Sequence, residues 1–301
     1  KIAGEQLPGV FHIAARTIST HALSIFGDHS DIYACRQTGA VIFMSSSVQQ
    51  VMDLTPVSYM ASILGRLPFL NCFDGFRTSH EVQKIDMWSY EQLAGLIDKE
   101  AVMEFKKNAL NPEHGSMMGS AQNPAVFFQV REACNKVYAD MPSVVEQCLD
   151  RINGELGTDY RLFNYYGDKE AENVIVAMGS VCQAAEETID ALSAAGEKNG
   201  LVEVHLYRPF DSRRLLEAIP ETAKRVYVLD RTKEPGAIGE PLYLDVSAAL
   251  REAGKNDIEI YHGRYGLSSK NTTPSQIAAV FHNRDKKEFT IGINDDVTFL
   301  S

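Results

Sequence analysis

The sequence lacks the short motifs that mark most self-contained enzymes. No G-x-G-x-x-G follows an apolar run, and neither H-E-x-x-H nor G-x-S-x-G occurs. No stretch of about 18 apolar residues is present, so we expect no membrane span. The chain begins at Lys1 without a methionine, and nothing after it has the pattern of a signal peptide. Together these absences predict a cytoplasmic protein with no complete catalytic set in this chain, and the missing methionine is compatible with one piece of a larger protein.

Cysteine is scarce and scattered. The sequence has five cysteines, and no two of them form a Cys-x-x-Cys pair. The usual ligand spacing of an iron–sulfur cluster is therefore missing, and such wide spacing does not favour a disulfide framework either. We predict no metal site in the chain and five reduced cysteines with mostly packing roles, namely Cys35, Cys72, Cys134, Cys148 and Cys182.

Positive charge is in deficit. Lysine and arginine number 29 against 40 acidic residues, which gives a formal net charge of −11. Such a surface repels phosphate backbones, so nucleic acid is not an expected partner. Hydrophobic residues make up 45% of the 301 positions and charged residues 23%, proportions typical of a globular protein with about two domains.

The second half of the chain alternates apolar runs with amphipathic stretches. The runs expected to form strands are 173–178, 202–206, 225–229 and 258–261. The stretches expected to form helices are 182–195, 212–219, 242–253 and 273–283. A strand that is apolar at every position is typical of a parallel sheet buried on both faces. The order predicts an α/β fold with an open parallel sheet and helices on both faces.

The first half has shorter apolar runs between glycine and serine turns. We expect strands at 10–15 and 67–73, and further apolar runs lie at 31–35 and 41–44. Helices are expected at 47–54, 91–108, 125–137 and 142–156, and a polar loop at 111–123. Pro142 is placed at the first position of the last helix, with Gly157 as its stop. A boundary within 157–172 gives two domains, 1–160 and 161–301.

Arg16 is the candidate binding residue that the pattern itself offers. It stands where the run Val10–Ala15, interpreted as a buried strand, ends. In open α/β sheets, ligands bind outside the carboxyl ends of the strands. An arginine there can hold a carboxylate through two parallel hydrogen bonds. A surface arginine in a salt bridge is the alternative that the residues alone favour.

For two further polar clusters, a structural role is favoured over a catalytic or ligand-binding role. Gly27–Asp31 holds two acids and a histidine, but it lacks the second glycine and the later asparagine of the Gly-Asp-Gly motif with which thiamine enzymes bind Mg²⁺. A structural Asx turn is favoured there. Ser45–Ser47 precedes a predicted helix, and capping is favoured over a phosphate cradle because the P-loop pattern is absent.

Two polar loops complete the candidates. Phe73–Glu81 is the densest polar cluster, yet its adjacent Ser79, His80 and Glu81 point to different faces and cannot form a triad. We expect Thr78 or Ser79 to cap a helix. The loop 230–241 follows a predicted strand, and its mixed charge leaves a ligand-binding role and a structural role equally open.

Long stretches of the chain resemble the pyruvate:ferredoxin (flavodoxin) oxidoreductase family, also called pyruvate synthases. The similarity runs in order along nearly the whole chain. The first group of carrying stretches is 1–16, 21–39, 45–54, 68–85, 109–114 and 121–133. The second group is 174–180, 206–210, 228–246 (VLDRTKEPGAIGEPLYLDV) and 263–270. Val130, Lys136, Val137 and Ser268 depart from the family pattern.

The resemblance implies a fragment of a large enzyme that decarboxylates pyruvate oxidatively to acetyl-coenzyme A. The fragment would comprise the later part of a thiamine pyrimidine-binding α/β domain and a domain like the C-terminal domain of transketolases. Arg16 matches the family arginine that grips the substrate carboxylate. Thiamine diphosphate, Mg²⁺ and iron–sulfur clusters are implied for the full-length enzyme. Residues that bind them are implied outside this chain, so cofactor-binding residues here are unknown and no cofactor is expected on the fragment alone.

The implied partners are the remaining domains of the parent enzyme, ferredoxin or flavodoxin, pyruvate and coenzyme A, in a homodimer. Two alternatives stay open. The chain could be an interaction module without activity, whose second domain braces the dimer and the coenzyme A domain. The parent could also be a related 2-oxo acid:ferredoxin oxidoreductase with a different substrate.

Overall fold

A computed structural model describes residues 1–115, 117, 119–294 and 300–301 of the chain. Within these residues, no helix combines the length and the apolar character needed to cross a membrane. The predicted loop 111–123 includes residues 116 and 118, which lie outside the described part.

The first half builds a small sheet with helices packed against it. Its strands are β1 (Gly9–Ala15), β2 (Val41–Ser45) and β3 (Pro68–Asp74). Its helices are α1 (Ser30–Ala34), α2 (Val48–Gly65), α3 (Tyr90–Leu96), α4 (Lys99–Lys107), α5 (Pro124–Ala133) and α6 (Asn135–Leu156). β3 pairs in parallel with β1 on one side and with β2 on the other.

The second half builds a larger sheet. Its strands are β4 (Phe163–Gly167), β5 (Asn173–Ala177), β6 (Asn199–Val204), β8 (Arg225–Asp230), β9 (Glu259–Arg264) and β10 (Glu288–Thr290). Its helices are α7 (Val181–Ala194), α8 (Ser212–Ala218), α9 (Pro241–Glu252) and α10 (Pro274–His282). The strand order is β10-β9-β8-β5-β6-β4, parallel except for β4 at the edge.

Helices cover both faces of the larger sheet, as the sequence predicts. Along β5, Val174 and Val176 enter one hydrophobic core together with residues of α8 and α9. Ile175 and Ala177 enter a second core together with residues of α7 and α10. Successive side chains of a strand point to opposite faces, so a continuously apolar strand needs a layer of helices on each side.

The two sheets are joined by a short strand. β7 (Leu206–Arg208) follows β6 in the chain but pairs antiparallel with β2, as the fourth strand of the smaller sheet. His205 lies between them, and its carbonyl accepts a hydrogen bond from the Met44 amide at 2.8 Å. The chain therefore passes from one sheet to the other within a few residues.

Several sequence-based expectations for the first half are wrong. Pro142 lies inside α6 instead of opening a helix, and the expected helix 91–108 is two helices, α3 and α4. The expected buried strand 10–15 is an edge strand with Phe11 exposed. The apolar run 31–35, for which no element was predicted, lies mostly in helix α1. Tertiary packing overrides local sequence signals at these places.

Proline is tolerated within helix α2, which extends well past the expected end at residue 54. Pro56 has no amide hydrogen to give to the carbonyl of Met52, four residues earlier. The indole Nε1 of Trp88 donates to that carbonyl at 3.1 Å. Because the orphaned acceptor is satisfied from outside, the helix continues to Gly65.

Candidate substrate-binding site

Arg16 and Asp74 lie side by side at one edge of the smaller sheet. Ala15 ends β1 and is paired in register with Asp74, which ends β3. Both strands run in parallel, so their carboxyl ends meet at the same edge, where open α/β sheets bind ligands. The Gly75 amide donates to the Ala15 carbonyl at 3.2 Å and holds the two strand ends together.

Arg16 is half-buried, and two contacts hold its guanidinium in a defined place. Its carbon lies 4.3 Å from the centroid of the Phe76 ring, and Nη1 donates to the Ile25 carbonyl at 2.8 Å. In the described part of the chain, no carboxylate forms an ion pair with Arg16, so the alternative of a surface salt bridge is not observed there. Nε and Nη2 likewise donate to no described protein atom, which leaves the forked edge that suits a carboxylate.

The loop that carries Arg16 closes through two glycines. A Cβ on Gly27 would lie 2.5 Å from the Gly75 carbonyl oxygen and 2.8 Å from that of Ala15. A Cβ on Gly75 would lie 2.9 Å from Nε of Arg16. These approaches are closer than a real Cβ tolerates, and the first two are to backbone. Glycine at both positions therefore lets the strand ends and the loop pack directly beneath Arg16.

A buried ion cluster lies next to this loop. Oδ1 of Asp74 lies 2.6 Å from Nε2 of His29 and 2.6 Å from Nη1 of Arg231, while its Oδ2 accepts from the Ser180 amide at 2.5 Å. Burial alone would raise the pKa of Asp74, but His29, Arg231 and the Ser180 amide together hold it well below its usual range. Asp74 is therefore a carboxylate with cationic and hydrogen-bonding partners, and it is not poised as a general base.

The cluster draws its members from both sheets. Asp74 and His29 belong to the smaller sheet and its loops, whereas Arg231 follows β8 and Ser180 precedes α7. Oγ of Ser269 accepts from the Gly27 amide at 3.0 Å, and its own amide donates to the Gly27 carbonyl at 2.8 Å. The second half of the chain thus holds the loop that presents Arg16.

The turn at Asp28 is structural, as the sequence predicts. Oδ1 of Asp28 accepts from the amide of Ser30 at 2.9 Å and from its hydroxyl at 2.6 Å, which is an Asx turn. Asp31 accepts from the Arg16 amide at 2.8 Å. Burial raises the pKa of Asp31, although hydrogen bonds from Arg16 and Ile32 oppose the shift. Both acids therefore shape the loop around Arg16.

Of the two predicted capping roles for serine and threonine, one is confirmed and one is wrong. Ser47 caps α2 by accepting from the Gln50 amide at 3.0 Å, which confirms capping there. The helix expected after Thr78 or Ser79 is wrong, because Thr78–His80 is a single 3₁₀ turn without a side-chain cap. Oγ of Ser79 accepts instead from the Phe76 amide at 2.9 Å.

The loop after β8 has a structural role at its start. Asp230 accepts from the amides of Leu242 and Tyr243 at 3.0 Å each and from the hydroxyl of Tyr33 at 2.9 Å. It therefore ties the beginning of α9 to α1 of the first half. Arg231, the next residue, joins the ion cluster. Sequence reasoning offered this loop without singling out Asp230 or Arg231, although charged residues at a strand's carboxyl end were the available signal.

A cleft of about 490 Å³ lies between the turn after β3 and the larger sheet. Phe76 and Arg77 line it on one side, and Ser180, Arg231 and Tyr265 on the other. Arg16 is not among its lining residues in the described structure, whereas Phe76, whose ring contacts the Arg16 guanidinium, is one of them.

The described residues are poorly suited to binding a metal ion. Among them, no group of three or more histidine, cysteine, aspartate or glutamate side chains could hold one. Cys72, Cys148 and Cys182 are buried as free thiols. Their burial raises the pKa of Cys148 to about 12 and those of Cys72 and Cys182 well above the usual value. Such thiols are packing residues and not ready thiolate ligands.

Family models match both halves of the chain. Residues 1–150 match the model described as pyruvate flavodoxin/ferredoxin oxidoreductase, thiamine diphosphate-binding. Residues 171–277 match pyruvate:ferredoxin oxidoreductase core domain II. A solved 2-oxoglutarate:ferredoxin oxidoreductase from Magnetococcus marinus superposes with a TM-score of 0.59 over 93% of this chain and 49% of that one. At 15% identity this likeness concerns the fold alone.

Curated relatives are similar over the entire chain. Pyruvate:ferredoxin oxidoreductase from Moorella thermoacetica is 54% identical and pyruvate-flavodoxin oxidoreductase from Enterobacter agglomerans 52% identical, each over 100% of this chain. The chain spans about a quarter of their length, 26% in both cases. A Nostoc pyruvate-flavodoxin oxidoreductase sequence is 48% identical, and the chain covers 75% of it. The chain therefore belongs to the pyruvate:ferredoxin/flavodoxin oxidoreductase family.

Proposed function

We propose that this chain is part of a cytoplasmic enzyme that oxidatively decarboxylates pyruvate to acetyl-coenzyme A and passes the electrons to ferredoxin or flavodoxin. The names of relatives about half identical to the chain support pyruvate as the substrate over another 2-oxo acid. Their length, about four times that of this chain, supports a larger enzyme in which the chain is one part. A homodimer is part of the same proposal.

Within that enzyme, Arg16 would hold the substrate carboxylate. The observation that carries this proposal is the position of Arg16 at the carboxyl end of β1. Ile25 and Phe76 fix its guanidinium, while Nε and Nη2 donate to no described protein atom. A carboxylate bound through two charge-assisted hydrogen bonds is oriented as well as attracted. Orientation of the bond that breaks is the protein's share of a decarboxylation, and the cofactor supplies the covalent chemistry.

The metal ions implied for the parent enzyme would be held outside this chain. The family model's description supports thiamine diphosphate as the cofactor. The described residues, however, do not fit Mg²⁺ or an iron–sulfur cluster, because no group of metal-binding side chains converges and the buried thiols have raised pKa values. We therefore assign Mg²⁺ and the clusters to other parts of the parent enzyme, and the family resemblance implies the same for the coenzyme A site.

The second half would serve as a brace for the first. Arg231 and Ser269 contact Asp74 and Gly27, and β7 extends the smaller sheet. This role is compatible with the enzymatic proposal and needs no separate activity.

Steady-state kinetics of the parent enzyme test the role of Arg16. Arg16→Ala is expected to raise KM for pyruvate roughly 10- to 100-fold, since a hydrogen-bonded charge pair contributes about 1.5–3 kcal/mol. The matched control is Arg66→Ala, because Arg66 also lies over a phenylalanine, Phe105, at 4.9 Å but away from this edge. An unchanged KM in Arg16→Ala would sink the assignment. Comparing kcat/KM for pyruvate and 2-oxobutyrate tests the substrate separately.

A further inference from the structure

Phe76 has a backbone conformation that a bulky residue adopts only under constraint. Its φ is 60°, in the left-handed region that favours glycine. The conformation is held by the preceding Gly75 and by the hydrogen bond from the Phe76 amide to Oγ of Ser79. Since this conformation costs free energy, the turn must be over-determined by its surroundings, and such residues cluster at binding sites.

The strained backbone aims the ring into a specific group of side chains. The ring centroid lies 4.6 Å from that of His80, with the two rings nearly parallel at 7°. It lies 4.9 Å from the ring of Phe26, tilted by 59°. These contacts fix the plane of the Phe76 ring, and the guanidinium of Arg16 rests on that ring at 4.3 Å.

The contact matters because an arginine side chain is long and flexible. Holding it in place before a ligand arrives removes part of the entropic cost of binding. Nη1 is fixed by the Ile25 carbonyl, but one hydrogen bond leaves the plane of the guanidinium free to rotate about it. The aromatic face restricts that rotation through a cation–π contact. With the plane fixed, Nε and Nη2 keep a constant direction.

Resting on the proposed function of Arg16, we infer that Phe76 is a positioning residue that sets the guanidinium plane for the substrate carboxylate. It acts through Arg16 and needs no contact with the substrate. The aromatic face is the required property, so tyrosine at position 76 would serve and an aliphatic residue of similar bulk would not.

Steady-state kinetics of the parent enzyme test this role. Phe76→Leu keeps the apolar bulk but removes the face, and we expect KM for pyruvate to rise roughly 2- to 10-fold with kcat nearly unchanged. Phe76→Tyr should restore the original KM. The matched control is Phe105→Leu, which removes the ring beneath Arg66 and should leave KM unaltered.

A double-mutant cycle separates this inference from the proposed function. In the Arg16→Ala background, Phe76→Leu should have no further effect on KM, because the residue to be positioned is gone. An Arg16→Ala enzyme with unchanged KM would refute the role of Arg16 itself. Suppose instead that Arg16→Ala raises KM, as proposed. The positioning role of Phe76 is then refuted if Phe76→Leu lowers only kcat or raises KM equally in both backgrounds. It is also refuted if Phe76→Leu and Phe76→Tyr both fail to give folded enzyme. Should Phe76→Leu alone fail to fold, Phe76→Met replaces it in the cycle with the same expectations.

Discussion

Oδ1 of Asp74 lies 2.6 Å from Nη1 of Arg231, and both side chains are almost completely buried, at 0% and 3% exposure. The two residues end or follow strands of different sheets, β3 and β8. Their pair therefore ties the carboxyl ends of the two sheets together at the edge where Arg16 stands. His29 shares the same carboxylate oxygen and brings the Arg16 loop into the link.

Removing Arg231 should cost far more stability than removing a surface arginine. Arg231→Ala leaves the Asp74 carboxylate buried with only His29 and the Ser180 amide, and loss of one partner of a buried pair typically destabilises by about 3–5 kcal/mol. Urea unfolding at neutral pH measures the change. Arg213→Ala is the control, because its pair with Glu217 is exposed and should contribute less than about 1 kcal/mol. Equal effects of the two substitutions would contradict a central role for the buried pair.

His262, in β9 of the larger sheet, makes the stability of the chain sensitive to acid. Burial, followed by the nearby Arg264, lowers the pKa of His262 to about 4 from an ordinary value of 6.5. The geometry agrees, since its Nε2 accepts from the Glu240 amide at 3.2 Å and must be unprotonated to do so. The unfolded chain therefore protonates His262 more readily than the folded chain does. The contribution of His262 to the free energy of unfolding is fully present above pH 6.5 and is lost as the pH falls toward 4.

We therefore expect His262→Gln to flatten the pH dependence of stability. Glutamine offers an acceptor oxygen to the Glu240 amide but does not titrate. Between pH 7 and pH 5 the original chain should lose about 1–2 kcal/mol more than the variant. Urea unfolding at the two pH values measures the difference. Parallel losses in both proteins would show that His262 is not the group responsible.

The five thiols should divide by burial in a reaction with a thiol reagent. Cys72, Cys148 and Cys182 are buried with raised pKa values, whereas Cys35 and Cys134 are half-buried. Because the thiolate is the reactive form, no more than the two half-buried thiols should react readily in the folded chain. All should react once the chain is unfolded in urea. Rapid labelling of Cys148, located by mass spectrometry, would contradict this division.

Local patterns predicted the main parallel strands of the larger sheet closely, but they predicted short edge strands of both sheets poorly. The expected strand 173–178 is β5 (Asn173–Ala177), because a strand buried on both faces must be apolar at each position. β4 lies in the stretch 160–169, which has no clear periodicity, since an edge strand is partly solvated. β7 owes its pairing to β2, a partner far away in sequence, and no local signal announces it.

Only part of the candidate site could be predicted from the sequence. Arg16 could be named because it follows a recognisable strand, and its contact with substrate remains a prediction. The domain boundary at 160/161 also stays a prediction. Asp74 and Arg231 could not be joined in advance, because the pair forms only when two sheets meet at their carboxyl ends. Phe76 could not be singled out, because its contact with Arg16 forms only when the ends of β1 and β3 meet.

Gly27 offers the sharpest test of how the loop supports Arg16. A Cβ there would meet the carbonyl oxygens of Gly75 and Ala15 at 2.5 and 2.8 Å. Backbone cannot swing aside as a side chain can, so Gly27→Ala must push the loop away from the strand ends. We expect a loss of about 1–3 kcal/mol in the free energy of unfolding, as for other overpacked sites.

Gly154→Ala is the matched control for that substitution. Gly154 lies within α6 and nothing is within 4 Å of the added Cβ, so alanine should stabilise the chain by up to about 1 kcal/mol. In the parent enzyme, Gly27→Ala should also raise KM for pyruvate, because displacing the loop moves the Ile25 carbonyl that holds Nη1 of Arg16. Gly154→Ala should not change KM. If Gly27→Ala loses stability and keeps its KM, the loop supports the fold without setting the arginine, and the two roles are separable.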